Sequence, residues 1–240
     1  MKKRGLAAGL VALAFLAVAC GDDDDSAANS QYEALCQAEL EVEAAVFGGD
    51  PSAAEPAFEA LAAAAPVDAK ETVDKTIAAA QDMADSQGPP SEEFTAAYAD
   101  LVEIVKDECG FGAIGVTAKD YEFEGLKDEV DAGPTVITFK NEGTELHEIL
   151  LMKVADGVDM SAHEILELSE EEAMSKATPV AAAFSTPDAT GHTVTDLAPG
   201  RYIAVCFIPV GMTPAALESG EEPQGEPHFT HGMMAEFEVA

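Results

Sequence analysis

Between Gln31 and Glu108, apolar side chains recur at the spacing of amphipathic helices. Helix-breaking residues interrupt this region at three places, namely Gly48-Gly49, Pro66 and Gly88-Pro89-Pro90. They divide it into four segments. Asp50-Pro51 and Ser91 are typical of helix starts, because Asp and Ser side chains cap the first turn and proline fits its first position. The stripes are rich in Ala and contain few large side chains. The pattern predicts a small helical bundle over residues 31–110.

From Gly115 onward, the pattern changes to the alternation that is typical of β-strands. Some segments alternate apolar with polar residues, and others are apolar on both faces, as strands in the middle of a sandwich would be. The segments are 121–124, 137–140, 146–154, 192–197, 202–208 and 236–239. The alternation predicts a β-sandwich over residues 115–240.

A helical insertion interrupts the β pattern between Ser161 and Ala177. Ser161 with Glu164, and Ser169 with Glu172, have the spacing of capping boxes. One or two surface helices are therefore expected here. The predicted fold class is α+β multidomain: a helical bundle followed by a β-sandwich with a short helical insertion.

The first twenty residues have the features of a secretory signal peptide. Lys2, Lys3 and Arg4 precede an apolar stretch that is too short for a stable membrane span. The sequence from Ala17 to Cys20 resembles a bacterial lipobox, and the acidic run after it (residues 21–30) reads as a tether. Lipidation of Cys20 would place the chain on the extracytoplasmic face of the cell membrane, with cleavage by the ordinary signal peptidase as the alternative.

The formal net charge of the chain is −34. This excess of acid excludes nucleic-acid binding, which needs a basic footprint. It also repels anionic lipid headgroups, so contact with the membrane is expected through the lipid anchor alone.

The cysteines divide into three groups. Exported proteins meet oxidising conditions, in which thiols tend to pair. If Cys20 carries lipid, then Cys36 and Cys109 are the natural disulfide pair, because they lie on inward stripes of the first and last predicted helices. Cys206 is left as an unpaired thiol that metal ligation would explain.

Four potential metal ligands lie in the predicted sandwich. His147 begins one apolar segment, Cys206 ends another, and His228 and Met233 follow close to the C-terminus. Two imidazoles, one thiolate and one thioether are the ligands of a blue-copper site. His231 is an alternative to His228, whereas His163 and His192 are expected to be solvent-exposed.

The order and local motifs of these residues resemble the cupredoxin family of plastocyanin-like blue copper proteins. The resemblance rests on an Asn141–Gly143 turn before His147, on Pro199-Gly200-Arg201-Tyr202 before Cys206, and on the sequence from His228 to Met233. It implies a Greek-key sandwich that binds one copper ion through His147, Cys206, His228 and, axially, Met233. One departure is the long segment from Phe207 to Pro227, since cupredoxins usually separate the Cys and the second His by a few residues.

No nucleophile, phosphate-binding or dinucleotide-binding motif is present in the sequence, so an enzyme is not expected. The predicted function is copper binding for electron transfer or copper handling, with a redox or copper-transfer protein as partner. Two alternatives stay open. One is a metal-free cupredoxin-fold interaction module, and the other is a lipoprotein that captures iron or another cation through the loop glutamates.

Overall fold

In a computed structural model, residues 31–48, 51–86, 90–220 and 223–240 are described. The predicted signal peptide, the predicted lipidation site Cys20 and the predicted tether lie outside the described residues. Four helices come first, and they form the predicted bundle: α1 Glu33–Phe47, α2 Ala54–Ala64, α3 Lys70–Ser86 and α4 Glu92–Glu108. Helix α4 begins as the sequence indicates, because the Ser91 side chain accepts a hydrogen bond from the Phe94 backbone amide.

The predicted Cys36–Cys109 disulfide is confirmed, with Cα atoms 5.6 Å apart. It joins α1 to the end of α4. The bundle core around it is made of medium-sized side chains, among them Leu35, Leu61 and Leu101, all of which are fully buried.

Nine described strands form two mixed sheets that pack on each other around a shared core, as the predicted β-sandwich requires. The strands are β1 Gly112–Lys119, β2 Glu122–Glu124, β3 Glu129–Val130, β4 Gly133–Asn141, β5 His147–Val154, β6 Ala177–Ser185, β7 Thr190–Leu197, β8 Gly200–Val205 and β9 Met234–Val239. One sheet has the order β2-β1-β4-β7 and the other the order β3-β9-β8-β5-β6. Strands β5 and β8 are interior strands, which explains why both of their faces are apolar.

The helical insertion consists of two short helices, α5 Ala162–Leu166 and α6 Glu170–Met174. The first capping box forms in both directions between Ser161 and Glu164. The second does not form, because the Ser169 hydroxyl donates to the Glu172 carboxylate instead of accepting from the backbone. A further short helix, α7 Pro214–Ser219, lies in the segment after β8.

The helical bundle packs directly on the outer face of the sandwich. Val136 of β4 and Val194 of β7 belong to the same buried cluster as the helix side chains. The bundle and the sandwich therefore share part of their core. Within the described residues, no helix is both long and apolar enough to cross a membrane.

Candidate metal centre

Three potential ligands meet at one end of the sandwich. His147 is the first residue of β5, Cys206 directly follows β8, and His228 begins a short 3-10 turn before β9. All three side chains are fully buried, and their ligand atoms lie within 4.8 Å of one another. Across the described ranges, this is the one group of three or more His, Cys, Asp or Glu side chains with ligand atoms so close together.

The two imidazole rings face each other through their Nδ1 atoms. Nδ1 of His147 lies 3.1 Å from Nδ1 of His228, and Sγ of Cys206 lies 3.4 Å from the same His228 atom. The donor atoms of all three residues therefore converge, and water is excluded from them by burial.

Each imidazole is held from behind by a carboxylate. Nε2 of His147 lies 2.9 Å from Oδ1 of Asp120, and Nε2 of His228 lies 3.1 Å from Oε2 of Glu145. Carboxylates accept hydrogen bonds, so each Nε2 carries the ring hydrogen and each Nδ1 keeps its lone pair. A carboxylate behind a metal-binding histidine fixes the tautomer and the orientation of the ring.

The turn before His147 is built around a buried asparagine. Nδ2 of Asn141 donates to the carbonyls of Glu145 and Ser185, and its Oδ1 accepts from the Gly143 amide. A Cβ at Gly143 would lie 2.6 Å from Nε2 of His147. Glycine is therefore required at this position, because a side chain would displace the His147 ring.

The long segment between the Cys and the second His returns to the site through backbone pairing. The His228 amide donates to the Ile208 carbonyl, and the Phe229 amide donates to the Cys206 carbonyl. A further hydrogen bond fixes the first part of this segment, because the Gly211 amide donates to Oε2 of Glu145. The excursion from Phe207 to Pro227 thus leaves Cys206 and His228 adjacent.

Met233 lies in the buried core near Cys206, whereas His231 lies at the surface. Met233 is fully buried in the same core cluster as Cys206, and its carbonyl accepts a hydrogen bond from the Cys206 amide. Nε2 of His231 lies 3.9 Å from the exposed Glu226 carboxylate, and its side chain is partly solvent-exposed. The structure therefore brings His228, and not His231, to the other ligands.

Burial controls the protonation of the three residues. It lowers the pKa of His147 and of His228 more than the nearby carboxylates raise them, so both rings are neutral at neutral pH. Burial raises the pKa of the Cys206 thiol to about 12. The thiol is protonated without a metal, and metal binding would release its proton.

Asp120 keeps its charge beside His147. Burial acts to raise the pKa of this carboxyl, but hydrogen bonds from Thr144 and His147 outweigh that effect and lower it. The carboxylate is therefore ionised at neutral pH and available as an acceptor.

The other two histidines lie elsewhere. His163 is exposed on α5, as predicted. The expectation that His192 is exposed is wrong: it lies on β7 under the helical bundle, and its Nδ1 is buried without a hydrogen-bond partner. Packing of the helices on this strand covers the ring, and burial lowers its pKa.

Three residues of the site were missed by sequence reasoning: Asp120, Glu145 and Tyr121. The Tyr121 ring lies 4.8 Å from the His228 ring, and its hydroxyl donates to Oε1 of Glu145. Glu145 is close to His147 in sequence, so its position offered a signal. Asp120 lies in the connection between β1 and β2, and no motif in the sequence marks it.

No protein-family model matches the chain. No curated protein matches it either. Solved structures of auracyanins and rusticyanin, which are cupredoxin blue copper proteins, are similar to about half of the chain, as the sequence resemblance predicted.

Auracyanin B is 16% identical over 54% of this chain and 88% of its own, with a TM-score of 0.34. Auracyanin A, a blue copper protein from the green thermophilic photosynthetic bacterium Chloroflexus aurantiacus, is 20% identical over 53% of this chain and 98% of its own, with a TM-score of 0.31. Reduced rusticyanin is 19% identical over 53% of this chain and 79% of its own, with a TM-score of 0.30. Likeness at this level carries no information about activity.

Proposed function

We propose that the protein binds one copper ion and transfers electrons through it. His147 and His228 would hold the ion through Nδ1, Cys206 through its thiolate, and Met233 would be the axial ligand. The observation that carries the proposal is the convergence of two Nδ1 lone pairs and a buried free thiol within 4.8 Å. Nitrogen and thiolate ligands with a thioether select copper, which supplies a one-electron redox couple.

Burial favours electron transfer over copper handling as the role of this ion. His147, Cys206 and His228 are fully buried, so a partner could not reach the ligands to exchange copper without opening the loop. Electrons, in contrast, can pass through the covering side chains. A redox protein is therefore the proposed partner.

The alternative of cation capture by loop glutamates has less support. Among the glutamates of the segment from Phe207 to Pro227, Glu226 has a described side chain. It is exposed beside His231 and is not directed toward the candidate ligands. Fe(III) and other hard cations prefer oxygen ligands, whereas the converging atoms are nitrogen and sulfur.

A metal competition experiment tests this choice. The purified protein is mixed with equal amounts of Cu(II), Zn(II) and Fe(III) and desalted, and the bound metals are counted. The proposal expects one copper per chain, lost in Cys206→Ser. Retention of iron, undiminished by Cys206→Ser, would support cation capture, and retention of no metal would support an interaction module.

We also propose that Cys20 carries a lipid that anchors the chain to the extracytoplasmic face of the cell membrane. The support is the lipobox-like sequence that ends at Cys20. Fractionation of cells that produce Cys20→Ser tests this. The variant should move from the membrane fraction to the soluble fraction, and a native protein that is already soluble would contradict the anchor.

A further inference from the structure

A cavity of about 480 Å³ lies between the helical bundle and the sandwich. Its walls come from all four helices of the bundle and from strands β5, β6 and β7, and most of the wall is apolar. This volume falls in the range of pockets that hold small molecules. The cavity is separate from the metal centre, because successive residues of β5 point to opposite faces of the sheet. His147 faces the metal centre, and Glu148 lines the cavity.

Three glutamates line this cavity. Glu39 and Glu43 lie one helical turn apart on α1, and Glu148 of β5 accepts a hydrogen bond from the Phe207 amide. Glu39 is 1% exposed, and neither of its carboxylate oxygens has a hydrogen-bond partner among the described residues. Glu43 accepts a hydrogen bond from the Tyr98 hydroxyl. The described residues that line the cavity include no Lys or Arg, and burial lowers the pKa of the one histidine among them, His192. A buried acid without a partner is costly, so the absence of a countercharge calls for an explanation.

The pKa values of both carboxyl groups agree with this description. Burial, and then the neighbouring Glu43, raise the pKa of Glu39 to about 8. Burial raises the pKa of Glu43 as well. The cavity by itself stabilises the ionised forms poorly, and a bound cation would supply the missing charge.

Aromatic rings line the same cavity. The rings of Phe94 and Tyr98 stack with their centroids 5.6 Å apart, and Phe58 and Phe184 also line the wall. Aromatic faces attract ammonium groups and pack against hydrocarbon chains. A carboxylate pair beside aromatic rings therefore matches a ligand that has a cationic head and an apolar body.

We propose that this cavity binds a small organic amine, with its ammonium group at Glu39 and Glu43 and its hydrocarbon part among the aromatic side chains. The acidic surface of the chain, with a formal net charge of −34, would also attract a cation to the protein. Amine binding needs no metal, so it can be measured on the metal-free protein, whatever the outcome for copper.

Calorimetric titration of the metal-free protein with hexylamine tests the proposal, with hexan-1-ol and hexanoate as neutral and anionic counterparts. Hexylamine should bind saturably and at least about tenfold more tightly than hexan-1-ol, because the ammonium group pairs with buried carboxylates. Hexanoate should not bind. In Glu39→Gln, hexylamine affinity should fall at least about tenfold, while hexan-1-ol affinity stays the same.

Two further variants complete the experiment. Glu41 lies on the exposed side of the same helix, so Glu41→Gln should leave hexylamine binding unchanged. Ala80→Phe places a ring in the cavity and should abolish binding of both hexylamine and hexan-1-ol. Equal affinity for hexan-1-ol and hexylamine, hexylamine binding that survives Glu39→Gln, or no saturable hexylamine binding would each overturn the proposal.

Discussion

The Nδ1 atoms of His147 and His228 lie 3.1 Å apart in the interior of the sandwich. Since each Nε2 donates to a carboxylate, both Nδ1 atoms present lone pairs to each other, an arrangement that a shared cation would stabilise. The pairing joins the start of β5 to the turn before β9, which are far apart in the chain. The site is thus a product of the fold.

The carboxylates behind the histidines should control copper affinity. Asp120→Asn and Glu145→Gln remove the charge that orients each ring, and each should weaken copper binding by about ten- to hundredfold. Competition with a chelator of known affinity measures this. Glu142→Gln is the matched control, because Glu142 pairs with Lys140 at the surface. Copper affinities equal to that of the wild-type protein in both variants would show that these residues do not position the ligands.

Met233→Leu should leave copper bound but raise its reduction potential. Leucine replaces a weakly bound ligand with an apolar side chain that cannot coordinate, which disfavours the more highly charged Cu(II), and the axial ligand tunes this potential. Redox titration followed by the visible spectrum measures the shift. Met174→Leu, at an exposed methionine of α6, is the control. A potential that is the same in Met233→Leu and in the wild-type protein would remove Met233 from the set of ligands.

The Cys36–Cys109 disulfide should contribute strongly to stability. It closes a loop with a sequence separation of 73, for which the chain-entropy model gives about 4 kcal/mol. The double variant Cys36→Ser, Cys109→Ser should lose roughly that much free energy of unfolding in denaturant titrations. A loss below about 1 kcal/mol would show that the bundle does not depend on the cross-link.

Glu39 should make stability fall as pH rises. An unfolded Glu carboxyl titrates near its model-peptide value of 4.5, whereas Glu39 in the folded protein titrates near 8. Between these values the folded state holds a proton that the unfolded state has lost, so the free energy of unfolding decreases with pH and levels off above the folded pKa.

Glu39→Gln should remove the part of this dependence that comes from Glu39, whereas Glu43, whose pKa is also raised, keeps its own part. The free energy of unfolding of Glu39→Gln should match that of the wild-type protein near pH 4 and exceed it by on the order of 5 kcal/mol near pH 9. Denaturant titrations across this pH range measure the difference, with Glu41→Gln expected to follow the wild-type protein. Parallel curves for Glu39→Gln and the wild-type protein would contradict a buried Glu39 with a raised pKa.

Much of the fold was predictable because the hydrophobic periods of the two halves are distinct. The break predicted at Pro66 follows the end of α2 at Ala64, and the helix start predicted at Ser91 agrees with the start of α4 at Glu92. The two segments that are apolar on both faces become interior strands. Strand β6 was missed because residues 177–185 are rich in Ala and continue a helical segment. Pairing with β5, and not local propensity, makes this segment a strand.

The candidate ligands were predictable from residue chemistry, but the carboxylates that contact them were not. Asp120 and Glu145 are two of 46 acidic residues, so nothing in the composition distinguishes them from the others.

The cavity between the bundle and the sandwich could not be predicted for a different reason. Glu39 and Glu43 belong to a helix whose polar residues would be expected at the surface, and packing of the bundle on β6 and β7 buries Glu39 and partly covers Glu43.

The visible spectrum of the purified protein during titration with Cu(II) tests the central claim most directly. A Cu(II)–thiolate bond should produce an intense charge-transfer band that saturates at one copper per chain. The band should be absent in Cys206→Ser, lost or strongly weakened in His147→Ala and His228→Ala, and retained in His163→Ala, whose side chain is exposed on α5. Wild-type protein with a reduced Cys206 that develops no such band would contradict the copper centre.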